Sequence, residues 1–252
     1  MYRAALALIV LAPATAGAAI FERDDRVTAP PASEFTAIGF VTGGANVYYG
    51  SGFLIDACTV MSARHVAGAI EHVMGRRLAF RSGRWSSDGE VIAAGPFSSG
   101  PQATREISAD WMLIRLNHCI GRKIGFLRLA TAEMAFAGKH EFKIKDAGFP
   151  RDRPITSGLT IDPDCRLLWV GGGRIAHDCA TLAGNSGGPL LARDGAGWVA
   201  IGINVAGADR SDVAPFRPSE PNLAIDLEKI LPQIYSVISE GANVTAKPQL
   251  QK

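Results

Sequence analysis

Between residues 35 and 208 the chain alternates short apolar runs with clusters of Gly, Pro, Asn, Asp and Ser. FTAIGFV, GSGFLID, CTVMSA, DWMLIRL, GPLLA and WVAIGINVAG are examples, rich in Val, Ile, Phe and Trp. Short, closely spaced runs of this kind predict an all-β body of barrel or sandwich type. No long amphipathic helix separates them, which argues against a parallel α/β sheet. Residues 82–108 are more polar and predict a hairpin with mobile connections. In 223–239, Leu227, Ile230, Leu231, Ile234, Val237 and Ile238 recur at helical spacing, so a C-terminal helix is expected, with Pro232 near its start as a possible kink. TAEMAFAGKH, residues 131–140, is the expected link between two β lobes.

Composition adds bounds. The chain has 252 residues, 47% of them apolar and 20% charged, enough for a two-lobed globular body. The formal charge is only +2, which gives no reason to expect a nucleic acid partner. Residues 1–18, MYRAALALIVLAPATAGA, carry one early Arg, a short apolar run and a small-residue end. That pattern reads as a secretory signal peptide, too short to span a membrane, and the chain is expected in the periplasm or outside the cell. No later stretch reads as a membrane anchor. Cys58, Cys119, Cys165 and Cys179 are an even set in an exported chain, which points to two disulfides. The count alone leaves three pairings open. No spacing suggests a metal site, so no metal or cofactor is expected.

Three stretches carry candidate chemistry. TVMSARHVAG puts His65 just after an apolar run, SADWMLIRL puts Asp110 at the head of another, and LAGNSGGPLL puts Ser186 among glycines before a third. A serine hydroxyl needs a base within hydrogen-bond reach, and imidazole titrates near neutrality. A buried carboxylate fixes the imidazole tautomer. Flanking glycines free the backbone so that amides, here Gly184 and Ser186, face a developing oxyanion. Each residue also has a plainer reading: a turn serine, a satisfied core histidine, a strand-start cap. His72, His118, His140 and His177 have no motif around them, and Trp85, Trp111, Trp169 and Trp198 are read as barrel packing. Lys139, Lys143, Lys145, Arg151 and Arg153 are read as a solvated basic face.

With GSGFLID, SARHV, DWMLIRL, AGFPRDRP, HDCATLAGNSGGPLL and VAIGINVAG in this order, the chain resembles the trypsin/chymotrypsin-like serine peptidases, specifically the secreted bacterial branch near the glutamyl endopeptidases. The resemblance implies two orthogonal six-stranded antiparallel β-barrels, followed here by the C-terminal helix. Residues 19–130 would form the first barrel with His65 and Asp110, and residues 131–252 the second with Ser186 and the helix. It implies a His65, Asp110, Ser186 triad, an oxyanion hole from the Gly184 and Ser186 amides, and disulfides Cys58–Cys119 and Cys165–Cys179. It implies a secreted endopeptidase acting as a monomer on proteins or peptides. The pocket would be lined by Ala180, Thr181, Asn204 and Gly207. Ala180 stands where trypsin is acidic, so Lys or Arg substrates are not expected. Asn204 stands where glutamyl endopeptidases carry His, so small or uncharged side chains are expected instead. Asn185 replaces the acid that pairs with a freed N-terminus in the animal branch, so AIFERDDR need not insert as an activating terminus. Val205 replaces a common Ser. Two other readings stay open: an HtrA-like quality-control protease without its PDZ module, and a non-catalytic homologue acting as a binding module.

Overall fold

The structure is a computed structural model that describes residues 19–30, 34–43, 49–68, 70–97, 106–137, 142–195, 197–207 and 213–245. The leader at 1–18, Lys139, His140 and the tail from 246 lie outside the described residues. Two short strands come first, β1 (Ile20–Phe21) and β2 (Val27–Thr28). Then follow β3 (Ile38–Gly43), β4 (Tyr49–Leu54), β5 (Thr59–Ala63), β6 (Arg77–Ser82), β7 (Trp85–Ala94) and β8 (Trp111–Leu116). These six close into a barrel in the order β3-β4-β5-β8-β7-β6. Its strands show why. In β7, Ser87, Gly89, Val91 and Ala93 are buried while alternate positions are exposed or half-buried, the period-2 pattern of a strand with one face on a core. In β5 every residue is buried, as suits a strand covered on both sides.

A four-residue turn of helix, α1 (Gly121–Ile124), then β9 (Arg128–Leu129) and α2 (Ala132–Phe136) lead into the second lobe. The expected link thus begins as a helix, capped by Thr131 Oγ1 accepting from Met134 N at 3.0 Å. The second barrel uses β10 (Lys143–Gly148), β11 (Thr160–Gly171), β12 (Arg174–His177), β13 (Pro189–Arg193), β14 (Trp198–Ala206) and, after the short β15 (Val213–Ala214), β16 (Asn222–Asp226). The path β10-β13-β14-β16-β12-β11 returns to β10 through the β10–β11 pairing, so this barrel is also six-stranded and closed.

Residues 19–28, expected to open the first barrel, lie on the second lobe instead. Val27 and Thr28 pair with Ile161 and Thr160 of β11, and Ile20 and Phe21 pair with Val213 and Ala214 of β15. Arg26, buried, anchors this segment through Asp24 at 2.8 Å and Asp152 at 2.7 Å. β9 likewise joins β14 of the second barrel.

The C-terminal helix starts later than its periodicity suggests. Leu223 to Asp226 belong to β16, and the helix α3 runs over Leu231–Thr245. Pro232 sits in its first turn, where a missing N–H leaves no helical hydrogen bond unmade, so it starts the helix rather than kinking it. Within the polar stretch 82–108, residues 85–94 form the ten-residue strand β7, hairpinned to β6 through Gly83 and Arg84, while residues 98–105 lie outside the described residues. Trp169, expected in the core, is 42% exposed. One buried apolar cluster runs through the first barrel and continues into Ala147, Ile161, Leu191, Ile203 and Val205 of the second, so the lobes share a core. Ile144, Ile175, Leu190 and Ile201 fill the inside of the second barrel.

Candidate active site

β5 delivers the chain into a 3-10 turn, Arg64–Ala67, that carries His65. A second such turn, Ile107–Ala109, ends at Asp110 immediately before β8. The β5–β8 register pairs Ala63 with Trp111, which sets His65 beside Asp110. Both carboxylate oxygens of Asp110 then serve His65. Oδ1 accepts from the His65 amide at 2.8 Å and Oδ2 meets Nδ1 at 2.7 Å. The Arg64 amide donates to the Asp110 carbonyl at 3.0 Å. An ionised carboxylate only accepts, so Nδ1 carries the hydrogen and Nε2 is left as the acceptor of a neutral ring. Asp110 is buried and His65 half-buried. Arg64 fixes the loop that follows, donating to the carbonyls of Ile70 at 3.1 Å and Glu71 at 2.7 Å.

Ser186 lies in the loop 182–188 between β12 and β13. Gly184 and Gly187 there have φ of +104° and +87°, in the left-handed region that favours glycine. A Cβ on Gly187 would meet Ser51 O, Ser62 Oγ and, at 2.8 Å, Ala63 N. The loop is therefore pressed against the end of β5, next to His65. Gly50 makes the same point from the other side: a Cβ there would sit 2.7 Å from Ser186 O and 2.5 Å from a Val66 methyl. The amides of Asn185, Gly187 and Gly188 donate to Leu182, Asn204 and Asn185 carbonyls. Among the described residues the amides of Gly184 and Ser186 have no acceptor. The Ser186 loop of the second barrel thus lies against the turn that carries His65, whose ring Asp110 holds. No hydrogen bond joins the Ser186 hydroxyl to the imidazole among the described residues; such bonds often tighten only when substrate binds.

Three of the four expected pocket residues, Ala180, Thr181 and Asn204, are buried, and Gly207 is half-buried. Thr181 and Asn204 are joined directly, and two buried acids hold Asn204 and Ala180. Asn204 Nδ2 donates to Thr181 Oγ1 at 2.7 Å and to Asp146 Oδ1 at 3.1 Å. Asn185 Nδ2 donates to Asp146 Oδ2 at 2.6 Å. The Ala180 amide donates to Asp162 Oδ2 at 2.6 Å. Burial pushes both acids up, Asp146 to about 7. Ala19 is docked on the same wall. It accepts from the Thr181 amide at 3.1 Å and from Asn222 Nδ2 at 2.8 Å, while Ile20 packs with Ala180 and Leu182. Ala19, the first residue of AIFERDDR, is thus buried against the second lobe and held by neutral partners.

Sequence reading missed Asp146 and Ser51. Asp146 had a signal: in KIKDAG it falls on the inward side of an alternating strand, in phase with Ile144. Ser51 had none beyond its place between glycines. Its hydroxyl donates to Gly184 O at 2.8 Å and accepts from Phe149 N at 2.8 Å, and its amide donates to Ser186 O at 2.7 Å. The disulfides are Cys58–Cys119 and Cys165–Cys179, one in each lobe.

Two closed six-stranded barrels, with the Ser186 loop of one against the His65 turn of the other, define the chymotrypsin-like serine protease fold. Among solved structures, that of a Glu endopeptidase in complex with MPD is similar, with a TM-score of 0.62 over 87% of this chain and 99% of that one, at 16% identity. No family model and no curated protein sequence matches the chain.

Proposed function

We propose that the protein is an exported serine endopeptidase that hydrolyses peptide bonds through an acyl-enzyme. Ser186 Oγ attacks the scissile carbonyl while His65 Nε2 takes its proton. The oxyanion forms against the amides of Gly184 and Ser186. His65 then gives the proton to the leaving amine, and water, deprotonated by His65, releases the acyl group from Ser186. Asp110 holds the ring and stabilises the imidazolium. The observation that carries this reading is the double grip of Asp110 on His65, facing a loop in which, among the described residues, the amides of Gly184 and Ser186 are left without acceptors.

The same geometry argues for small or uncharged side chains before the cut. Ala180 brings no acid for a cationic side chain, and Asn204 Nδ2 is already occupied by Thr181 and Asp146, so it does not serve a glutamate. The substrate preference in the neighbour's name is therefore not carried over. Two disulfides fit an oxidising compartment, and among the described residues no helix is long and apolar enough to cross a membrane.

The test is a fluorophosphonate probe with intact-mass detection on the chain lacking residues 1–18. One adduct on the wild type and none on Ser186→Ala is expected. Absence of labelling, together with no peptide cleavage, would favour the non-catalytic homologue.

A further inference from the structure

We infer that Asp146 is a positioning residue of the nucleophile loop, holding residues 184–186 in their working conformation through Asn185. The inference rests on the serine peptidase reading above.

Asp146 is fully buried on β10, yet its side-chain partners are neutral: the amides of Asn185 and Asn204 and the hydroxyl of Thr181. An acid without a cation is a costly occupant of a barrel interior, and burial raises its pKa accordingly. What it holds explains its placement. Asn185 stands between Gly184 and Ser186, the two residues whose amides lack acceptors. Its Oδ1 is buried with no partner among the described residues, so the contact to Asp146 is what fixes its side chain. Ser51 grips the carbonyls of Gly184 and Ser186 from the first barrel. Asp146 grips the residue between them from the second. A loop with glycines at positive φ has other backbone conformations open to it. Three consecutive anchors, from both lobes, select one.

The arrangement allows an exchange of partners. Asp146 Oδ1 faces Asn204 and Oδ2 faces Asn185. In D146N the remaining oxygen keeps the Asn204 side, and Asn185 must turn its own oxygen to the new amide, giving up the orientation it holds in the wild type. D146N combined with N185D restores one donor and one acceptor.

The experiment measures peptide turnover, the fluorophosphonate labelling rate and amide hydrogen exchange of residues 182–188 in wild type, D146N, N185A and the D146N/N185D pair. D146N and N185A are expected to lose roughly ten- to a hundredfold in kcat, with KM changed by less than about threefold, because an oxyanion donor is displaced rather than a binding contact. Their loop amides should exchange faster. The double exchange should recover kcat to within about fivefold of wild type and restore protection. N185A leaves Asp146 its two other donors, so it serves if D146N does not fold. Unchanged kcat and exchange in N185A, or a double variant as impaired as D146N, overturns the inference while the peptidase reading stands. If the wild type neither cleaves nor labels, the peptidase reading falls. Loop exchange then decides alone: unchanged protection in N185A overturns the inference, and faster exchange reversed by the double variant upholds the anchor.

Discussion

The Ser51 amide donates to the Ser186 carbonyl at 2.7 Å, across the boundary between the barrels. The Ser186 loop of the second lobe is therefore held by a strand of the first. Ser51→Ala keeps this backbone bond but removes the hydroxyl between Gly184 O and Phe149 N. Leaving those groups unpaired should cost about 1–3 kcal/mol in denaturant unfolding. Activity should fall roughly tenfold, through kcat, as the amides of Gly184 and Ser186, the proposed oxyanion donors, lose alignment. A variant as stable and as active as wild type would show that the latch is incidental.

Asp110→Asn keeps the shape of the side chain but not its chemistry. An amide offers one acceptor where His65 needs two. The ring is then free to take the other tautomer, and kcat is expected to fall by about four orders of magnitude. The thermal midpoint should move little, because the fold does not depend on the tautomer. Peptide hydrolysis within tenfold of wild type would remove Asp110 from the mechanism.

Two buried groups set opposing pH dependences. His177 is fully buried with neither ring nitrogen bonded among the described residues, and burial pushes it down to about 3. Its neutral state favours the fold above about pH 6.5, and that advantage is lost as pH falls toward 3, at on the order of 1.4 kcal/mol per unit. Asp146, pushed up to about 7, acts in the other direction. Its protonated form favours the fold at low pH, and the advantage is lost as pH rises from about 4 to 7. Between roughly pH 4 and 6.5 the two slopes offset each other. His177→Leu should therefore make the protein more stable on acidification across that window. Chemical denaturation at several pH values checks this. A His177→Leu profile parallel to wild type would sink the assignment.

Arg26→Met should free the amino-terminal segment. It removes the buried guanidinium that Asp24 and Asp152 share, while both acids keep access to water. The loss should be roughly 2–3 kcal/mol, below that of a fully buried pair. Limited proteolysis near residues 22–25 reads it. Cleavage no faster than in wild type would mean that strand pairing of β1 and β2 suffices.

Local patterning made much of this molecule legible. Each lobe's strands announce themselves as apolar runs between turn residues, and His65, Asp110 and Ser186 each sit where such a run begins or ends. What sequence left hidden depends on distant partners. Leu223 has helical phase with Leu227, yet it is in a strand because β12 and β14 bracket β16 on both edges. Val27 gives no sign that it belongs with Ile161. Asp146 looks like one more charge in a basic stretch until the barrel closes around it. The pocket residues were named from sequence, but their mutual hydrogen bonds were not, because Asn204 and Thr181 meet only through the fold.

The strap formed by β2 can be completed only late in synthesis. Val27 emerges early, but its partner Ile161 is made only after all six strands of the first barrel. The first barrel is contiguous in sequence and has what it needs to close while the rest is still being translated. The second barrel closes through its own six strands, and β2 then adds to the outer edge of β11. Until β11 is made, the nascent chain therefore carries an unpaired strand near its amino terminus.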